Sequence, residues 1–173
     1  MNIPCLSGLA ALMLALAVGP ATAQEFHQHD AMPAEKLGKV HFEISCGART
    51  QAGFDHAVAL LHSFQYEDAE RSFAALAASD PSCAMASWGV AMCDYHPIWG
   101  PTTPADFERG RAAAERAQQL GGRTDRERAY IDAIASYYQR ADSLDFPARK
   151  AAYEDAMERL HARFPDDMEG TIF

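Results

Sequence analysis

The stretch from Phe54 to Trp88, FDHAVALLHSFQYEDAERSFAALAASDPSCAMASW, constrains the fold more than any other part of the chain. Phe54, Val58 and Leu61 stand at i, i+4 and i+7, and Tyr66, Ala69, Phe73 and Leu76 at i, i+3, i+7 and i+10. Each half therefore carries one apolar helical stripe, and the short Ser63–Gln65 break makes the two an antiparallel pair. Asp80-Pro81 follows, an N-cap residue and then the imino acid best tolerated at a first helical position, so the spacing predicts a third helix from Pro81 to Tyr95.

Ala57, Tyr66, Ala69, Phe73 and Pro81 fall where the tetratricopeptide repeat, with its period of about 34 residues, places a small residue, an aromatic, a small residue, an aromatic and a closing proline. The wider run from Leu37 to Pro101 resembles a family of exported bacterial tetratricopeptide proteins, and the likeness extends to Phe173. The resemblance implies an all-α solenoid of helical hairpins over 46–173, with six helices and the start of a seventh. It implies no activity, because that family is named for its repeat.

Beyond Tyr95 the run HPIWGPTTP has three prolines and ends the third helix. Thr103 with Asp106 caps a fourth helix, Pro104 to Leu120, which stops at Gly121-Gly122. Thr124 with Glu127 forms a capping box for a fifth, to about Arg140, with Tyr130, Ile134 and Tyr137 on one face. A sixth runs from Pro147 to about Arg163, turning Tyr153, Met157 and Leu160 inward. Pro165-Asp166 repeats the earlier restart signal, and Asp167–Phe173 opens a seventh helix. Met168, Ile172 and Phe173 are not the polar cap that a solenoid needs at its end, so the expectation is that further repeats follow.

At the other end, Leu6–Val18 is an apolar run too short to span a bilayer, and Ala21-Thr22-Ala23 is a small-x-small cleavage site. Residues 1–23 are read as a secretory signal, which places the mature chain in the periplasm or outside the cell, with no stable membrane insertion. Residues 24–45 are read as a flexible leader closing with a short extended segment, VHFEIS, against the first hairpin. The formal charge of −9 argues against nucleic acid and anionic membranes as partners.

Removing the signal takes Cys5 with it and leaves Cys46, Cys83 and Cys93. Cys83 and Cys93 lie ten residues apart on one helix, about 15 Å by helical rise, whereas a disulfide tolerates a Cα separation of about 7 Å. In a tetratricopeptide stack the first helices of successive repeats run parallel, so the resemblance implies a Cys46–Cys83 disulfide and a buried free thiol at Cys93. The alternative is a reactive or metal-binding thiol at Cys83, favoured by a helix N-terminus but supported by no nearby second cysteine.

Of the seven histidines, His27 and His29 form an H-x-H pair in the leader, with geometry for loose copper or zinc binding. His56 and His62 are six apart, not the i, i+4 pair of a helical metal site. His96 sits beside Trp99 in the proline-rich loop, a usable recognition pair on a rigid scaffold. No Gly-rich phosphate loop, H-E-x-x-H or Gly-x-Ser-x-Gly occurs. The expected function is therefore an exported scaffold, non-enzymatic and without cofactor, that receives a peptide or protein. Gln51, Asp55, His62, Ser87 and Asp94 are the polar candidates along its concave face, with His96 and Trp99 beside them. The rival is a periplasmic metal-binding or metal-dependent protein using His62, His96 and histidines beyond Phe173.

Overall fold

The paired stripes close on one another, and every regular element among the described residues is helical. The computed structural model describes residues 36–95, 98–141 and 143–173. Among these are α1 (Gln51–His62), α2 (Tyr66–Ser79), α3 (Ala84–Asp94), α4 (Pro104–Leu120), α5 (Asp125–Tyr138), α6 (Phe146–Arg163) and α7 (Glu169–Ile172), and no strand. The secretory signal and the H-x-H pair lie outside the described residues.

Local chemistry fixes most of the boundaries. Thr103 accepts the Asp106 N–H to start α4, with Pro104 at the first position, and Gly121 ends it at φ 72°. At α5 the Thr124 side chain accepts from the Glu127 N–H while the Glu127 carboxylate accepts from the Thr124 N–H, a reciprocal cap. Asp145 caps α6 by accepting the Ala148 N–H at 2.9 Å. The third helix departs from its expected start: Asp80 bonds the Ser82 hydroxyl at 2.8 Å and the Gly47 N–H at 3.3 Å, and its carbonyl takes the Cys83 N–H. These bonds make Asp80–Cys83 a turn, so α3 begins at Ala84, three residues later than Asp80-Pro81 suggests.

Consecutive helices pack in order from α1 to α7, and α3 also touches both α1 and α5. Phe54, Val58, Phe73, Trp88, Tyr130, Ile134 and Tyr137 are all buried, as their spacing requires. Two glycines permit the closest approaches. A Cβ on Gly89 would collide with the Phe73 ring, and one on Gly110 with the Tyr138 hydroxyl and the Asp94 side chain. Glycine here serves helix contact, not chain flexibility.

The core does not start at Cys46. Leu37–Ser45 crosses the helices as an extended strap, and Leu37, Phe42 and Ile44 are buried in it. The Phe42 ring, fully buried, meets Phe54 of α1 at 5.5 Å, Trp88 of α3 at 5.2 Å, Tyr130 of α5 at 4.9 Å and Phe173 after α7 at 6.4 Å. The Arg126 guanidinium lies 4.3 Å from its centroid. The second half of the leader is thus a structural member, because an aromatic that touches four elements cannot be left to solvent.

At the foot of the strap the Cys46 and Cys83 sulfurs are bonded, with Cα atoms 5.2 Å apart, and Cys93 is free and buried. Closing a loop of this length stabilises the fold by about 4 kcal/mol on the chain-entropy account. Unfolded without reductant, a chain beginning at Gln24 should titrate with one thiol; three would contradict the pairing. Phe42→Ala should lower unfolding free energy by about 3–5 kcal/mol in urea denaturation. A loss below about 1 kcal/mol would mean that the strap is not held as described.

Candidate functional site

The strap satisfies its backbone with side chains from α1, α5 and the turn before α5. The Phe42 N–H donates to Asp55 Oδ1 at 3.0 Å, and its carbonyl accepts from Gln51 Nε2 at 2.8 Å. Gln51 Oε1 takes the Ile44 N–H, Glu127 takes both the N–H and the hydroxyl of Ser45, and Arg123 and Arg126 donate to the carbonyls of Ser45 and Glu43. Burial pushes the Glu127 carboxyl up, but the bonds from Ser45, Thr124 and Arg123 outweigh it and hold it below the usual range. Gln51 and Asp55 therefore serve the chain's own strap instead of standing open to a partner. Ser87 and Asp94, two further residues expected on a partner-facing surface, are buried.

One open concavity lies to one side of the strap, where the ends of α1 and α3 meet α6 and α7. One part, of ≈ 260 Å³, is lined by Leu61, His62, Phe64, Tyr66, Met92 and Ile172. A second, of ≈ 590 Å³, runs along α6 past Tyr153, Met157, Glu154 and Glu158. They share Tyr95, Ile98 and Phe173, so the two form one cleft. His62 is the one expected polar residue placed there: its Nε2 is 2.8 Å from Glu169 Oε2, and its ring stacks on Phe173 at 4.8 Å. Trp99 is 70% exposed beside Ile98 and bonds the Tyr66 side chain. His96 lies outside the described residues.

The cleft wall is aromatic. Tyr95 packs against Tyr137 at 4.7 Å and Tyr153 at 4.6 Å. Burial raises its phenol well above the ordinary range, with the Glu154 charge adding to the shift. Behind it, Arg109 gathers three carboxylates: Asp94 at 2.5 Å, Glu70 at 2.8 Å and Asp106 at 3.0 Å. Asp94 Oδ2 is buried without a hydrogen-bond partner. Burial lifts the Asp94 carboxyl to about 6 against the pull of Arg109, and the charges of Glu70 and Asp106 add to the rise.

The metal reading finds little assembled here. Among the described residues the single grouping of three His, Cys, Asp or Glu ligand atoms is Cys46, Asp80 and Cys83, within 4.8 Å of one another. Its two sulfurs are bonded to each other, which leaves a carboxylate and no thiolate. His62 has Glu169 as its partner and no second imidazole among the described residues.

Sequence reasoning did not find Phe42, Glu127 and Arg126 as the groups that seat the strap. The capping box marked Glu127 for a helix start only, and nothing local ties it to Ser45, 82 residues away. The chain matches no family model, and neither the curated proteins nor the solved structures contain a match.

The Asp94 shift sets a pH dependence. The folded protein holds this proton more tightly than the unfolded chain, so the group's contribution to stability is greatest below about pH 4 and is lost as pH rises to about 6. After discounting for solvent at Arg109, the loss should be about 1–3 kcal/mol. In urea unfolding the stability of wild type relative to Asp94→Asn should therefore fall by that amount between these pH values. Parallel profiles would contradict the assignment.

Proposed function

We propose that the chain is an exported scaffold of tetratricopeptide type, which binds a protein partner through the cleft beside α7 and not across the helix face already filled by its strap. The sequential helix pairing, with α3 against both α1 and α5, supports the repeat architecture. The Cys46–Cys83 bond is compatible with a location outside the cytoplasm, and among the described residues no helix is long and apolar enough to cross a membrane.

One observation carries the reading. The large apolar side chains left exposed among the described residues are Phe64, Ile98, Trp99, Met168 and Ile172. Phe64, Ile98 and Ile172 line the cleft and Trp99 adjoins Ile98, whereas Met168 lines a separate opening beside the strap. Gathering exposed apolar side chains on one side is costly for an isolated soluble surface and is what a partner-binding surface requires. The groups around it, a hydrogen-bonded imidazole and buried phenols, orient a bound chain and supply no activated nucleophile.

A photoreactive phenylalanine analogue at Ile98, in protein made in its own cells, should give an envelope adduct of one size that Phe64→Asp abolishes. The same analogue at Glu115, exposed on α4, should give none. Equal labelling at both positions, or none at Ile98, would overturn the proposal.

A further inference from the structure

Resting on that reading of the cleft, we propose that its partner presents a basic, apolar segment, with Lys or Arg side chains set against Glu154 and Glu158 and aliphatic ones against Ile98, Met157 and Phe173. Glu154 and Glu158 stand one helical turn apart on α6, both exposed and both lining the larger part of the cleft. Neither has an ion-pair or hydrogen-bond partner among the described residues. Several carboxylates at other helix junctions are paired: Glu70 and Asp94 with Arg109, Asp167 with Arg126, and Asp125 with Arg128 and Arg163. The α6 pair is left open beside an apolar floor.

Glu154 lines the same part of the cleft as Tyr95, and its charge adds to the burial that holds the Tyr95 proton. One cation, Lys150, stands a turn before Glu154, so the α6 wall reads positive, negative, negative along its length. The net charge of −9 repels an acidic partner and draws a basic one to this wall.

The probe is a short fluorescein-labelled peptide of alternating lysine and leucine, titrated into the full chain by fluorescence anisotropy. Its affinity should fall by about tenfold or more when Glu154→Lys and Glu158→Lys are combined, and should fall with added salt. Glu108→Lys with Glu115→Lys, the same charge change on α4, should leave it nearly unchanged. Three results would overturn the inference: equal loss in both double variants, which means net charge alone; equal binding of a glutamate–leucine peptide, which means apolar contact alone; or no binding of either peptide. An Ile98 adduct formed in cells together with any of these would sink the basic-partner inference while leaving the scaffold reading intact.

Discussion

The burial of Phe42 is the interaction on which the other contacts depend. Helices α1, α3 and α5 each present an aromatic to one interior point, and Phe173 closes the ring from the far side of α7. Without an aromatic at that point, Phe54, Trp88 and Tyr130 would border a void, since packed interiors tolerate few gaps larger than a methyl group. A residue outside any regular element thus organises three helices and the residue that follows a fourth. The Cys46–Cys83 bond fixes the end of the strap one residue after Ser45, so that Phe42 reaches the centre from a defined root.

This arrangement determines which surfaces remain open. Polar groups along the inner helix face are spent on the strap backbone, and displacing it would expose Phe42 and Ile44 and strip Glu127 of its two bonds from Ser45. One surface that remains is the cleft between the α1 turn, the end of α3, α6 and α7. On the proposed reading the chain supplies its own ligand to one face and leaves the neighbouring face, apolar with two open carboxylates, to another protein. Phe64 marks the transition: at φ 58° it occupies a backbone region that a bulky residue enters at a cost, and it turns its ring outward toward the cleft.

Much of the helical layout was legible in the sequence because it is written locally. Stripes such as Tyr130, Ile134 and Tyr137 and caps such as Thr124 with Glu127 act within a few residues, and the structure places these helices within a residue or two of expectation. The start of α3 was not legible, because Asp80 caps a turn through Ser82 and Gly47 before the helix begins. The strap was legible as an extended segment near the first hairpin but not as a core element. Its partners, Glu127, Arg126 and Tyr130, lie more than 80 residues away, and no local period records such a contact. For the same reason Gln51 and Asp55 read as open polar positions on α1, although their partner is Phe42 in the same chain.

Hydrogen exchange at the strap amides tests the central claim most directly. The N–H groups of Phe42, Ile44 and Ser45 donate to Asp55, Gln51 and Glu127, so they should exchange as slowly as amides inside α3 and α5, although the strap has no secondary structure of its own. Exchange at the rate of an unstructured peptide would show that the strap leaves the helix face freely, and the account built on Phe42 would fail.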